Sequence, residues 1–294
     1  MNSTRYHKAI AAPYLLLVTL LLLLTARASA RAQEELPRDA QQVISQFTAR
    51  GVSGSADTIK RLTSQLEFDA RKTGEIESLY RQHFKDSVVS DRAILDNFQA
   101  LIAPVLRFYS LLPQQYRFLL VANEVPFSFS EGHVVIITTG LIKRVKSVDA
   151  LLGVVAHEVG HGLFLEESQE LERSLELAQS DSNLARAQTL ARKLVLIEYK
   201  CDLVAAVVLS ALGLNPQRYA ELLEDLPIKL VQSGDRLQVV LVRPDQVDPE
   251  FKRQREERVA VIRAVPIRAV PSNAPVPALS TTTAPLERLK AALN

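Results

Sequence analysis

The sequence is poor in several residue types, and each scarcity excludes a class of protein. Its 294 residues include no tryptophan, one cysteine (Cys201), one methionine, ten glycines and 6% aromatic residues. One cysteine cannot form an intramolecular disulfide, so outside the cytosol the fold must be held by its hydrophobic core or by a metal. The few glycines form neither a G-x-G-x-x-G nor a Walker pattern, so we expect no nucleotide partner.

Excess charge is also lacking. The formal net charge is +2, and no basic stripe alternates with aromatic residues, so we expect no nucleic-acid partner. The 47% hydrophobic and 23% charged contents are those of an ordinary globular chain. The length fits one compact domain with additions or two small domains.

The N-terminus has the order of a secretory signal peptide. Arg5 and Lys8 precede an apolar run from Tyr14 to Leu24, and small residues follow at positions 28, 30 and 32. This pattern predicts a signal peptide over residues 1–32 and export to the periplasm or secretion. An uncleaved N-terminus is the alternative, and it would then be the only contact with a membrane.

The periodicity of apolar residues predicts an α+β fold that is mostly helical. Helical spacing runs from Glu34 to about Arg117, with Ser55 as a predicted helix start, and it resumes after Ser147. Between them, β-rich runs at 116–129 and 132–140 predict neighbouring strands, which form a small sheet beside the helix after Ser147. We expect one domain over residues 34–263, with its core at about 70–260. Five prolines after residue 264 predict a flexible tail over 264–294.

One short segment has the spacing of a metal site. Residues 157–161 are His-Glu-Val-Gly-His. In a helix, positions four apart share a face and lie about 6 Å apart, so the imidazoles of His157 and His161 can bind one metal. Glu158 can then lean over the open side of the metal and act as a general base.

A catalytic zinc site needs a third protein ligand. No histidine follows His161, so this ligand must be a carboxylate or Cys201. Glu198 and Asp202 lie one helical turn apart between apolar flanks, where two carboxylates need a cation or a donor. This segment is therefore the leading candidate, in which Glu198 could bind zinc while Asp202 accepts a hydrogen bond from a ligating imidazole.

These motifs together resemble a known family. His157 to His161 followed by Glu198-x-x-x-Asp202 is similar to the gluzincin pattern, and Gly160 is typical of metallopeptidase family 48, which includes the CAAX prenyl proteases and the HtpX and BepA-like zinc peptidases. Residues 127–142 and 148–161 resemble further segments of that family. The resemblance covers about residues 70–260. It implies a zinc endopeptidase with one Zn²⁺ per chain bound by His157, His161 and Glu198, with Glu158 activating the water and Asp202 orienting a ligand.

The resemblance also implies how a peptide is held. The segment Gly132 to Thr139 corresponds to a strand along which an extended protein or peptide substrate lies. It contains no charge and no proline, which fits an edge kept open for backbone pairing. The predicted substrate edge consists of His133, Val134, Val135, Ile136 and Ile137.

Two departures from the family pattern leave the oxyanion stabiliser open. Val125-Pro126 replaces the common Asn-Ala, and Asp248-Pro249 replaces the common His-Pro. The remaining candidates are Tyr199, Tyr219, Arg253, Arg255 and Arg258. The predicted function is cleavage of unfolded or misassembled envelope proteins. A catalytically weak family member that acts as a periplasmic chaperone or assembly factor is the alternative.

Overall fold

Three helices precede the sheet in the computed structural model, which describes residues 45, 51–111, 115–180, 183–226, 228–233, 236–241, 249–265 and 283–293. They are α1 (Gly51–Ser64), α2 (Ala70–Phe84) and α3 (Arg92–Phe108). Asp69 and Asp91 cap α2 and α3, because each carboxylate accepts a hydrogen bond from a backbone N–H of the first turn. The prediction that a helix starts at Ser55 is wrong, since α1 begins four residues earlier and buries Ser55 within it.

The sheet beside these helices has three strands, β1 (Arg117–Val121), β2 (Ser128–Glu131) and β3 (Val134–Thr138). Their spatial order is β1-β3-β2, with β1 parallel and β2 antiparallel to β3. A two-residue turn joins β2 to β3, and its first residue, Gly132, has φ of +57°. Glycine adopts this conformation without strain, and it is common at this position of a tight hairpin.

The helices that follow the sheet form the centre of the molecule. They are α4 (Thr139–Arg144), α5 (Val148–Leu163), α6 (Leu165–Ser180), α7 (Leu184–Ala211) and α8 (Pro216–Asp225). Side chains cap four of them, since Thr138, Ser147, Asn183 and Asn215 accept hydrogen bonds from the first turns of α4, α5, α7 and α8. The predicted cap at Ser147 is therefore confirmed.

The last described elements are a β-hairpin and two helices. They are β4 (Ile228–Ser233), β5 (Arg236–Leu241), α9 (Pro249–Arg263) and α10 (Ala284–Ala292). The prediction of a flexible tail is wrong for residues 284–292, because α10 packs on α3 and fully buries Leu286 and Leu289. The proline-rich composition of the preceding residues obscured this short amphipathic helix. The predicted signal peptide lies outside the described residues.

The fold is α+β and mostly helical, as predicted. One large hydrophobic core joins α1, α3, one face of the sheet, and helices α5, α7, α8, α9 and α10. A smaller cluster covers the other face of the sheet, where Tyr80 of α2 packs on Phe129. Within the described residues, no single helix combines the length and the hydropathy that a membrane span requires, and only the pair 148–163 and 165–175, bent by 69°, passes when taken together.

Candidate metal centre

The site lies where α5 crosses α7, and one glycine of α5 allows a residue of α8 to come close to it. A Cβ on Gly160 would lie 3.6 Å from the Cα of Cys201, an ordinary contact distance. A Cβ on Gly153 would lie 2.5 Å from the Tyr219 ring, which is too close for any side chain. The absence of a side chain at Gly153 thus allows the Tyr219 ring of α8 to pack against α5. At position 160 there is room for a Cβ, so the helix packing does not require a glycine there.

Three side chains converge at this crossing. The Nε2 atoms of His157 and His161 lie 3.2 Å apart. A carboxylate oxygen of Glu198 lies 3.5 Å from Nε2 of His157, and its other oxygen lies 3.5 Å from Nε2 of His161. These three residues form a possible metal-binding group, with ligand atoms all within 4.8 Å of one another.

The spacing of these atoms fits zinc. Tetrahedral ligands at about 2.0–2.1 Å from zinc lie about 3.3–3.4 Å from each other. The separation of the two Nε2 atoms, 3.2 Å, is close to that value, and each Nε2 atom lies 3.5 Å from one of the two Glu198 oxygens. His157 is buried, whereas the side chains of His161 and Glu198 remain 26% and 33% exposed, so the group is open on one side.

Asp202, on α7, is a fully buried carboxylate that orients one of the histidines. Its Oδ1 lies 2.9 Å from Nδ1 of His157, and it also accepts a 2.9 Å hydrogen bond from the Tyr219 hydroxyl. A proton on Nδ1 would face this carboxylate and would leave the lone pair on Nε2 free to bind a metal.

Arg258 of α9 completes the cluster. Its Nε and Nη2 donate to the two oxygens of Asp202 at 2.6 and 2.9 Å, and its Nη1 lies 3.2 Å from Glu198. Its Nη2 is also 3.5 Å from Nε2 of His157. This guanidinium therefore joins the buried carboxylate of Asp202 to the partly exposed carboxylate of Glu198.

Burial and neighbouring charges shift the acid–base behaviour of the group. Burial lowers the pKa of His157, but the Asp202 carboxylate outweighs burial, and the pKa rises to about 10. Burial lowers the pKa of His161, and Glu198 does not offset it. The pKa of Glu198 is below its usual range despite burial, because His161 and Arg258 lie close to it. A metal must therefore displace a proton from His157, so binding weakens as the pH falls.

Glu158 lies beside the metal-binding group and outside the ligand triangle. It is 4% exposed, and its Oε1 accepts a 2.7 Å hydrogen bond from the hydroxyl of Ser128, the first residue of β2. Its Oε2 is buried and has no hydrogen-bond partner among the described residues. No sequence pattern marks Ser128 as a site residue, because the contact joins residues 30 positions apart.

The predicted substrate edge over residues 133–137 is wrong. β3 is the central strand, paired with β1 on one side and β2 on the other, and all of its residues are buried. His133 lies in the turn before it, where its ring packs edge-on against Tyr116 and Phe68 at 4.9 and 5.5 Å. The outer strand nearest the metal-binding group is β2, whose Ser128 contacts Glu158.

The sequence left several candidates for the residue that stabilises the oxyanion, and these candidates have different contacts in the structure. Tyr219 donates to Asp202, and Tyr199 donates to Glu257 of α9; both tyrosines are buried. Arg253 pairs with Glu257, and Arg255 donates to a backbone oxygen of Leu226. Of these candidates Arg258 makes the polar contacts with the metal-binding group, whereas Tyr219 packs its ring near that of His157, with the ring centroids 6.3 Å apart. Asp248 lies outside the described residues.

Cys201 is completely buried between α5 and α7. Burial raises the pKa of its thiol well above the ordinary value. Its sulfur is not among the atoms of the metal-binding group, which consists of two histidines and Glu198. It packs as a small apolar residue.

Comparison with known protein families places the site within a recognised segment. Residues 96–234 match the family model described as peptidase family M48. The match includes the sheet and helices α4 to α8, and thus both halves of the metal-binding group. It ends before α9, which carries Arg258. No curated protein matches the chain.

Proposed function

The chain belongs to peptidase family M48 through residues 96–234, and on this premise we propose that it is a zinc-dependent endopeptidase. Family membership makes it a metallopeptidase, a hydrolase of peptide bonds. The observation that carries the finer proposal is the convergence of His157, His161 and Glu198, whose ligand atoms lie within 4.8 Å of one another, with the two Nε2 atoms 3.2 Å apart.

We assign these three residues to one zinc ion per chain. Zinc in such a site polarises the scissile carbonyl and lowers the pKa of water. Asp202 keeps the proton of His157 on Nδ1, so that Nε2 stays available as a ligand atom. Arg258 compensates the negative charges of Asp202 and Glu198, so that both carboxylates stay in place.

Glu158 is the general base in this proposal. Its carboxylate is buried beside the ligand triangle but is not part of it, so it is free to take a proton from the attacking water. The same carboxylate then passes the proton to the leaving amine. Its buried Oε2, which has no hydrogen-bond partner among the described residues, is available for both transfers.

The substrate would pair with β2. The backbone oxygen of Phe127 accepts a hydrogen bond from Thr138, so alternate residues of β2 point their backbone groups at β3. The N–H and C=O of Ser128 then point away from β3, toward the outer side of the sheet. A peptide added there would run beside Glu158, and backbone pairing would make few demands on its sequence.

The substrate class follows from this mode of binding. Only extended chain can add to a strand, so unfolded or misassembled proteins are the proposed substrates. The N-terminal pattern of charged, apolar and small residues supports export, with substrates in the periplasm or outside the cell.

A catalytically weak protein that holds unfolded chains is the second candidate function. It is favoured because the candidate donors for an oxyanion are already hydrogen bonded to carboxylates: Tyr199 to Glu257, Tyr219 to Asp202, and Arg258 to Asp202. Such a protein would suppress aggregation of an unfolded substrate without cutting it.

Hydrolysis of unfolded casein by the zinc-loaded protein tests the proposal, with Glu158→Gln as the matched control. The wild type should release new N-termini, EDTA should stop the reaction and zinc should restore it. Glu158→Gln should bind an equal amount of zinc but hydrolyse at least about 100-fold more slowly, because proton transfer contributes that much or more. Equal rates for the two proteins would contradict the peptidase proposal, and aggregation suppression without cleavage would favour the second candidate.

A further inference from the structure

The hydroxyl of Ser128 contacts Glu158 in a way that distinguishes the two carboxylate oxygens. We propose that Ser128 is a positioning residue, which holds Oε1 of Glu158 so that Oε2 is the oxygen that accepts and returns the proton. This inference rests on the proposed peptidase function. It adds a residue that the motif around His157 does not contain.

The contact itself is short and sheltered. The Oγ–Oε1 distance is 2.7 Å, and Glu158 is 4% exposed. Hydrogen bonds between a hydroxyl and an ionised carboxylate are stronger than those between neutral groups. At Oε2, by contrast, none of the described residues supplies a donor, although the atom is buried. A buried polar atom without a partner is unfavourable in a purely structural role and is common where a reacting group must bind.

The pairing of β2 with β3 restricts the position of the Ser128 backbone and hence of its hydroxyl. Ser128 pairs with Ile137 in the register of β2 and β3. The segment just before it is also fixed, because the Thr138 hydroxyl accepts from the N–H of Phe127 and lies within hydrogen-bonding distance of the backbone oxygen of Val125. A serine side chain has a single heavy-atom torsion, so a fixed backbone leaves its hydroxyl few positions.

The direction of the side chain follows from the alternation of the strand. Phe127 and Phe129 stack on each other on the face of the sheet that α2 covers, where Tyr80 packs on Phe129. Ser128 lies between them in sequence and therefore points to the opposite face, toward α5. A one-residue shift of β2 would replace the hydroxyl by a phenylalanine ring beside Glu158.

The positioning of one oxygen has a consequence for catalysis. The last torsion of a glutamate is broad and roughly two-fold, so an unrestrained carboxylate can exchange its two oxygens and tilt. A bond from Ser128 to Oε1 selects one orientation and leaves Oε2 as the oxygen without a partner among the described residues. Displacements of about 1 Å at a reacting group can lower rates by about 100-fold.

Three variants test the proposal in the full chain. Ser128→Ala removes the hydroxyl, Ser128→Thr keeps it on a β-branched side chain that strands accept, and Ser168→Ala is the matched control. Ser168 also donates to a glutamate, Glu172, at 3.3 Å, but on α6 and away from β2. Ser128→Ala should lower kcat by about 10- to 100-fold, the factor that a hydrogen bond to a charged group provides. KM and zinc content should stay within about two-fold, and Ser128→Thr should recover kcat to within about three-fold of wild type.

A double-mutant comparison separates positioning from general support of the fold. Glu158→Asp retracts the carboxylate by one methylene, beyond reach of the hydroxyl. Ser128→Ala should therefore lower kcat by less than about two-fold in the Glu158→Asp background. An equal loss in both backgrounds would mean that the hydroxyl only supports the fold, and it would overturn the proposal.

Carbon-13 NMR of protein labelled at glutamate carboxyls gives a readout that needs no turnover. The Glu158 signal is assigned by its loss in Glu158→Gln. It should move in Ser128→Ala and stay in place in Ser168→Ala, both with and without zinc. An unchanged signal in Ser128→Ala, or an unchanged kcat, would overturn the positioning role while leaving the peptidase proposal intact. Absence of Glu158-dependent hydrolysis in the wild type would overturn both.

Discussion

Arg258 is expected to be the most important stabilising side chain of the metal-free site. It forms a two-pronged ion pair with Asp202, which is completely buried, and its own side chain is 25% exposed. Removal of one partner from such a pair leaves a buried charge without compensation and typically costs about 3–5 kcal/mol. Asp202 keeps the Tyr219 hydroxyl and His157 as partners, so we expect Arg258→Met to lower the free energy of unfolding by the smaller value, about 3 kcal/mol.

A matched control lies on the same helix. Arg263 pairs with Glu224, and both side chains are about half exposed, so Arg263→Met should lower the free energy of unfolding by less than about 1 kcal/mol. In a domain of this size, each kcal/mol shifts Tm by about 2–4 °C. Arg258→Met should therefore lower Tm by about 6–12 °C, well beyond the shift in the control.

Urea and thermal unfolding of both variants after EDTA treatment measure these losses. Zinc brings two positive charges to the same cluster, so its addition should reduce the stability difference between Arg258→Met and wild type, and it should leave the difference between Arg263→Met and wild type unchanged. A loss in Arg258→Met no larger than that in the control would refute the view that this guanidinium balances the buried acids.

Further predictions concern packing, metal affinity and pH. Gly153→Ala should destabilise the protein by about 1–3 kcal/mol in urea unfolding, because its Cβ would overlap the tyrosine ring beneath the site, whereas Gly160→Ala should be neutral or stabilising. Zinc titration should show loss of binding in Glu198→Ala and a weakening of about 10- to 100-fold in Asp202→Ala, and wild-type affinity in both would point to another ligand set. Burial lowers the pKa of His133 below its ordinary 6.5, so folding favours the neutral ring. The contribution of His133 to stability should be present above pH 6.5 and be lost as the pH drops, so the free energy of unfolding of the wild type relative to His133→Gln should be lower at pH 5 than at pH 7.5.

The sequence predicts the local half of the site well. Helical spacing alone places His157, Glu158 and His161 on one turn of α5, and it places Glu198 and Asp202 on one face of α7. The apolar flanks of the second pair indicate that α7 is buried, and buried acids require partners. The residues that α5 and α7 contribute to the metal-binding group could therefore be predicted from the sequence.

The contacts between segments that are distant in the chain could not be predicted from the sequence. Arg258 lies 56 residues after Asp202, and Ser128 lies 30 residues before Glu158. No periodicity links these positions, because their proximity depends on how α9 and β2 pack against the central helices. The local sequences around Arg258 and Ser128 would look the same if these two side chains were exposed to solvent, so they do not indicate a role in the site.

The order of the strands shows why the predicted edge was wrong. The run Val134 to Thr138 has no charge and no proline, and this pattern fits an open edge as well as a central strand. Continuous apolar runs are in fact typical of strands buried on both faces, which is what β3 is. The short polar segment Ser128 to Glu131 gave a weaker strand signal, although it forms the outer strand beside Glu158.

The central claim is that α5 and α7 hold one zinc ion between His157, His161 and Glu198. Diffraction data collected at the zinc absorption edge from crystals of the zinc-loaded protein test it most directly. The expected result is one anomalous peak per chain, within bonding distance of both Nε2 atoms and of the Glu198 carboxylate. A zinc peak bound by other residues, or no peak at this crossing in a protein that hydrolyses peptides, would contradict the claim.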